Sequence, residues 1–133
     1  LYYQAEGIEF DVQYHSSGQL VILHDFTLEK TTDGHGPING YSLTELQQLD
    51  AGQGEIIPTL AQALTLIKGQ CLVNIELKSR DSNEQTMNAI IDALIKTLTE
   101  AIKHHQFTWT DFVVSSFNHP LLQKIKHTIL MSI

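Results

Sequence analysis

The chain has 133 residues with 15 acidic and 8 basic side chains, which gives a formal net charge of −7 when the histidines are neutral. One domain is expected at this length, and a 42% apolar composition with three prolines excludes a disordered or collagen-like chain. Because nucleic acids are held by clustered cations, the few scattered Lys and Arg side chains argue against a nucleic-acid partner.

The first predicted element is a β-hairpin. Apolar and polar residues alternate over positions 7–13, which is typical of a strand with one buried face. A second apolar run at positions 20–23 follows too soon to be a parallel strand, since a parallel crossover needs about a dozen residues or more. We therefore expect an antiparallel pair. A turn centred on positions 16 and 17 would place His24 opposite Glu9 on the same face.

Helices and strands alternate along the rest of the chain. Capping boxes that begin at Ser42 and Thr59 predict two short helices, which end near Asp50 and Gly69. Apolar residues at three- and four-residue steps predict a long helix from Asn83 to His105. The other predicted elements are a strand over 71–78, a strand over 112–117, a helix over 118–127 and the start of a strand over 128–133. This alternation implies an α/β fold with a parallel sheet.

Charged side chains gather where α/β folds place their ligands, at the C-terminal ends of parallel strands. Glu9 and Asp11 share one face of the first strand, and Glu76 and Lys78 share one face of the strand over 71–78. Three carboxylates would form an all-oxygen site suited to Mg²⁺ or Ca²⁺. The alternative is a set of solvated charges at a strand edge, but unpaired charge in an otherwise apolar strand is costly.

Two further side chains have a functional and a structural interpretation. Histidine changes protonation near neutral pH, so His24 is suited to general acid–base catalysis; the alternative is a hydrogen-bonded structural histidine. Lys78 is suited to hold an anionic substrate group beside a metal; the alternative is an ordinary ion pair with Glu76.

The cysteine content and hydropathy bear on the compartment. Cys71 is the chain's single cysteine, so no disulfide forms within the chain. Together with the lack of an export signal, this favours the cytoplasm. No stretch has the roughly 20 apolar residues that a membrane span needs.

Four segments, in this order and spacing, resemble the glycerophosphodiester phosphodiesterase family. They are Gly7–Val12, His24–Gly34, Ile57–Leu60 and Asn74–Lys78. The resemblance runs from about Ala5 to positions 114–118. It implies a (β/α)8 TIM-barrel fold and the metal-dependent hydrolysis of a small-molecule glycerophosphodiester to an alcohol and glycerol 3-phosphate, in glycerophospholipid metabolism.

The resemblance also implies roles for individual residues. Glu9, Asp11 and Glu76 would be the ligands of a divalent cation, Mg²⁺ or Ca²⁺. His24 would be one of two catalytic histidines, and Lys78 would contact the phosphate. The sequence does not choose between water and the glycerol hydroxyl as the nucleophile.

The chain departs from the family pattern in ways that bear on its activity. The His-Arg-Gly motif of the first strand, with the other catalytic histidine, and a Pro-Glu-Asn motif are absent, and the start resembles the tail of the first helix. Residues 1–133 are therefore predicted to be a partial domain. It would hold about half of the barrel, the second to fifth strands, with a hairpin excursion carrying His24. A half barrel exposes two sheet edges, which favours association, for example in a homo-oligomer, and weak activity of the chain alone.

Two alternatives stay open at this point. One is a phospholipase D-like member of the same superfamily, for which an apolar surface near the barrel mouth is expected. The other is a catalytically inactive binding or assembly fragment, which the absent motif favours.

Overall fold

The computed structural model describes residues 2–4, 7–69 and 71–132, which form five strands and four α-helices. In chain order these are β1 Tyr2–Gln4, β2 Gly7–Tyr14, β3 Leu20–Ile22, α1 Leu43–Gln47, α2 Leu60–Ile67, β4 Leu72–Leu77, α3 Glu84–His104, β5 Phe112–Ser115 and α4 His119–Ser132. Short 3-10 turns occupy Ile38–Gly40 and Trp109–Asp111.

The strands form one mixed sheet in the order β1-β2-β4-β5, with β3 also paired to β2. β2, β4 and β5 are parallel, which confirms the predicted α/β class, whereas β1 and β3 run antiparallel to β2. β1 corrects the expectation that the chain starts in the tail of a helix. Its residues include two tyrosines, which favour strands, and its backbone pairs with positions 7–9 of β2.

The hairpin register differs by one residue from the prediction. A turn centred on positions 16 and 17 would pair Val12 with Val21, but Val12 pairs with Ile22. The loop has three residues instead of two and closes through Gly18 at φ 92°, a left-handed conformation that glycine adopts without strain. The expected placement of His24 opposite Glu9 is therefore wrong, because a one-residue slip exchanges the two faces of a strand.

The helices begin where the sequence predicts. Ser42 and Thr59 each form a complete capping box, and Asn83 caps α3 by accepting from two backbone N–H groups. The strand expected over 128–133 is wrong over the described residues, since α4 continues to Ser132. No glycine or proline follows Pro120 to stop that helix. The described chain thus holds three parallel strands rather than four.

One face of the sheet is covered by helices and the other carries the polar side chains. The larger core contains apolar residues from β2, β4, α2, α3 and α4, among them Phe10, Ile75 and Leu94. A separate smaller core lies beneath the loop between β3 and α2, which we call the excursion (residues 23–58). Its buried members are Val21, Leu23, Leu28, Ile38, Leu46 and Ile57. None of the described helices has the length and apolar character to cross a membrane.

Candidate functional site

A cluster of three carboxylates lies on the polar face of β2 and β4. The parallel register places Asp11 directly beside Glu76, and Glu9 two positions earlier on the same face. One carboxylate oxygen from each of these three residues lies within 4.8 Å of the other two. All three side chains are half-buried. Strand pairing therefore brings together the three carboxylates that the sequence singled out.

Lys78 supplies one positive charge to this cluster. Its Nζ lies 3.7 Å from Glu76 Oε2, with both side chains less than one-fifth exposed. Its backbone N–H donates to the Val12 carbonyl at 2.8 Å, which extends the β2–β4 ladder by one residue and fixes where the side chain starts. One lysine against three carboxylates leaves a local excess of negative charge.

The donor set fits a hard divalent cation. Carboxylate oxygens bind Mg²⁺ and Ca²⁺ at about 2.0–2.6 Å, so ligands of one ion lie at most about 5 Å apart. The observed spread of 4.8 Å meets that limit. A bound divalent cation would also offset the repulsion among the half-buried carboxylates. The structure therefore contains an acidic cluster able to hold a divalent metal.

His24 lies in a separate pocket beside this cluster. Its Nδ1 is 2.9 Å from Asp25 Oδ1, and its side chain is 66% exposed. Lys78 also lines the pocket, so the same lysine borders the carboxylate cluster and the histidine. The full lining consists of His24, Asp25, Phe26, Thr27, Lys30, Lys78 and Arg80.

Lys30, Lys78 and Arg80 give the pocket three positive charges, and Asp25 is its one acidic side chain. The hydrogen bond with His24 holds the pKa of the Asp25 carboxyl below its ordinary value. Burial opposes this effect, and the positive charges of His24, Lys30 and Lys78 add to it. Asp25 is therefore ionised at neutral pH and able to orient the imidazole.

A buried glutamine holds the backbone on both sides of His24. Gln13 follows Glu9 and Asp11 on the same face of β2 and is only 4% exposed. Its amide nitrogen donates to the Leu23 carbonyl at 2.9 Å and to the Asp25 carbonyl at 2.7 Å. The position of the histidine is thus set by a side chain of the strand that carries two of the carboxylates.

Sequence reasoning missed three residues of this region. The alternation over positions 7–13 puts Gln13 on the face of Glu9 and Asp11 but gives it no role, and the sequence did not single out Phe26 or Arg80. The Arg80 guanidinium carbon lies 3.9 Å from the centre of the Phe26 ring. One signal was available, since Arg80 follows Lys78 by two residues just beyond the end of β4.

Comparison with known proteins agrees with this arrangement. The family model described as "Glycerophosphoryl diester phosphodiesterase family" matches residues 2–130. The chain therefore belongs to that family, and the resemblance seen in the four sequence segments is confirmed. A glycerophosphodiester phosphodiesterase of Caldanaerobacter subterraneus is 38% identical over an alignment of 130 residues, and the match covers 92% of this chain and 50% of that protein.

Solved structures are similar as well. An Oleispira antarctica phosphodiesterase in complex with the product sn-glycerol-3-phosphate matches with a TM-score of 0.76 and 36% identity, covering 92% of this chain and 50% of that one. A glycerophosphodiester phosphodiesterase from Agrobacterium tumefaciens matches with a TM-score of 0.71 and 29% identity over the same shares. The chain thus spans about half the length of these relatives.

Proposed function

We propose that the protein hydrolyses glycerophosphodiesters to an alcohol and glycerol 3-phosphate, in a reaction that requires Mg²⁺ or Ca²⁺. The observation that carries this proposal is the convergence of Glu9, Asp11 and Glu76 beside Lys78, on a chain that belongs to this family. The product named for the Oleispira relative, sn-glycerol-3-phosphate, supports the same substrate class. The comparisons do not favour an inactive assembly fragment or a phospholipase D-like enzyme.

The substrate chemistry explains why these residue types are needed. A phosphodiester is already anionic and its alkoxide is a poor leaving group. A divalent cation held by Glu9, Asp11 and Glu76 would neutralise the charge that develops on the phosphoryl oxygens. Lys78 lies beside Glu76 and binds a phosphate oxygen through its ammonium group.

His24 delivers a proton to the departing oxygen. The Nδ1–H group of His24 donates a hydrogen bond to the Asp25 carboxylate. The other ring nitrogen, Nε2, is therefore the one that carries the transferable proton. This hydrogen bond to Asp25 also fixes the orientation of the ring. Acid catalysis of this kind typically contributes about 10²–10⁴-fold to the rate.

We further propose that residues 1–133 form part of a (β/α)8 barrel domain. Parallel strands with helices on one face and polar residues on the other support this, as does the twofold greater length of the relatives. β5 lies at one end of the described sheet. We expect a further strand to cover it, from the same polypeptide or from a second copy in a homo-oligomer.

The test is an assay of glycerol 3-phosphate release from glycerophosphocholine and glycerophosphoethanolamine, with Mg²⁺, with Ca²⁺ and with a chelator. We expect turnover that the chelator removes and that Glu76→Gln abolishes. Glu100→Gln is the matched control, because Glu100 is an exposed carboxylate on α3. Calorimetry should show divalent-cation binding that is lost only in Glu76→Gln. Turnover that survives both the chelator and Glu76→Gln would contradict the proposal.

A further inference from the structure

Arg80 is held in the His24 pocket by an aromatic ring and not by an acid. Its guanidinium carbon lies 3.9 Å from the Phe26 ring centre, a cation–π distance. Among residues 2–4, 7–69 and 71–132, no carboxylate lies within ion-pair distance of this guanidinium. Stacking uses the flat face of the group, so the N–H donors along its edge stay available to an anion.

The other charges of the pocket favour an anion as well. Lys30 and Lys78 line the same walls. The one acid in the lining, Asp25, is hydrogen-bonded to His24. Two exposed cations of this lining, Lys30 and Arg80, therefore lie away from the carboxylate cluster and form no ion pair within the part of the chain that the structure describes, and of the two it is Arg80 whose head group is held in place by an aromatic ring.

The reaction geometry identifies which part of a substrate enters this pocket. An acid that protonates a leaving oxygen must lie within hydrogen-bond reach of it. His24 and Arg80 line one pocket, so the alcohol that leaves, the head group of the diester, lies between them. This step rests on the proposed function, in which His24 is that acid.

We propose that Arg80 makes the enzyme selective for glycerophosphodiesters whose head group carries a negative charge, such as a carboxylate. Arg80 would bind that charge through its free N–H donors, and Phe26 is the positioning residue that fixes the guanidinium plane. Arg80 also covers the aromatic face that a quaternary ammonium head group would need. Cationic head groups are thus disfavoured twice, by repulsion and by the loss of their aromatic contact.

Two substrates that differ by one carboxylate test this directly. Glycerophosphoserine has the carboxylate and glycerophosphoethanolamine lacks it. We expect kcat/KM to favour the serine diester by about tenfold, the effect of one good charge-assisted contact. Arg80→Met keeps an unbranched apolar side chain but removes the guanidinium, and it should bring the ratio to about one. Lys96→Met removes an exposed positive charge on α3 and should leave the ratio unchanged.

A second measurement does not depend on turnover. Arg80 is the chain's single arginine, so its Nε–Hε group gives one NMR cross-peak that needs no assignment. The wild-type chain is titrated in Mg²⁺ with phosphonate analogues of the two diesters, in which a methylene replaces the head-group ester oxygen. We expect the serine analogue to shift this cross-peak and to bind more tightly than the ethanolamine analogue.

The two measurements separate this inference from the proposed function. A selective shift without any turnover would support the head-group site and count against the hydrolytic function. Turnover with equal binding of both analogues, or with a ratio that Arg80→Met does not change, would overturn the head-group assignment and keep the function. An unmoved cross-peak with both analogues would also overturn it.

Discussion

The carboxylate cluster and the His24 pocket are built in different ways, although Lys78 borders both. The cluster lies on β2 and β4, where parallel pairing sets Asp11 beside Glu76. The pocket is formed mostly by the start of the excursion, which is supported by its own small core. A strand position is fixed by the backbone ladder, whereas a loop position is fixed only by the contacts that hold it.

This difference predicts that a mutation can disrupt one of the two regions and leave the other intact. Because the small core contains no residue of the main sheet–helix core, loosening it should displace His24 while the carboxylates keep their places. Damage to the carboxylates should instead remove metal binding and leave the excursion folded. The variants below test this separation.

The largest effect is expected from Asp11→Asn, which removes one ligand charge from the cluster. Loss of cation binding costs several kcal/mol of transition-state stabilisation, so we expect turnover to fall by about 10⁴-fold. Calorimetry of Mg²⁺ and Ca²⁺ should show weaker binding. Asp92→Asn, an exposed change on α3, is the control. Unchanged cation affinity in Asp11→Asn would show that the three carboxylates do not act together.

His24→Ala should leave cation binding intact and lower kcat. Removing a general acid typically costs about 10²–10⁴-fold. The loss should be smaller for a substrate with a good leaving group, such as a nitrophenyl ester of glycerol phosphate, because its oxygen needs no proton. His127→Ala, on the exposed part of α4, should have no effect. An equal loss with both substrates would argue against His24 as the acid.

Leu28→Ala should separate the two regions most clearly. Leu28 is fully buried in the small core, and a buried Leu→Ala change costs about 2–5 kcal/mol. We expect faster amide hydrogen exchange throughout the excursion, loss of turnover and unchanged metal affinity. Leu66→Ala changes a leucine that is 81% exposed and should alter none of these. Parallel loss of metal binding and excursion structure would mean that the two regions fold as one unit.

A smaller effect is expected from Gln13→Met, which keeps the side-chain volume and removes the amide. The carbonyls of Leu23 and Asp25 then lose their donor, at a cost of about 1–3 kcal/mol for a buried group left unsatisfied. We expect kcat to fall more than KM changes, because the histidine is displaced and the carboxylates are not. The exposed Gln85→Met is the control. A change in KM alone would show that Gln13 does not position His24.

Local patterns in the sequence predicted most of the fold. The capping boxes at Ser42 and Thr59 and the apolar stripe of α3 each depend on residues close in the chain. The strand at positions 2–4 and the hairpin register were missed for one reason. Both depend on which backbone edges meet, and a single extra loop residue, closed by Gly18, decides the register.

The same distinction applies to the site. The convergence of Glu9, Asp11 and Glu76 was predictable because strand faces alternate and parallel neighbours align. The stacking of Arg80 on Phe26 was not, because it joins two loops whose paths depend on tertiary contacts. Sequence patterns thus predict what a sheet positions and miss what loops bring together.

The smallest effect is expected on the pKa of the Asp25 carboxyl. The hydrogen bond with His24 favours the charged form and so holds the pKa of Asp25 below its ordinary value in the folded chain. This hydrogen bond therefore stabilises the folded chain at pH values above the pKa that Asp25 has in the unfolded chain. The contribution is lost as the pH falls through the pKa that Asp25 has in the folded chain.

His24→Ala should therefore raise the pKa of Asp25, measured by NMR titration of its side-chain carboxyl carbon. Lys30→Met should raise the same pKa less, since the charge of Lys30 is a weaker cause than the hydrogen bond. If Lys30→Met had the larger effect, the general positive field of the pocket would outweigh the hydrogen bond. The histidine would then be oriented by the backbone contacts of Gln13 more than by Asp25.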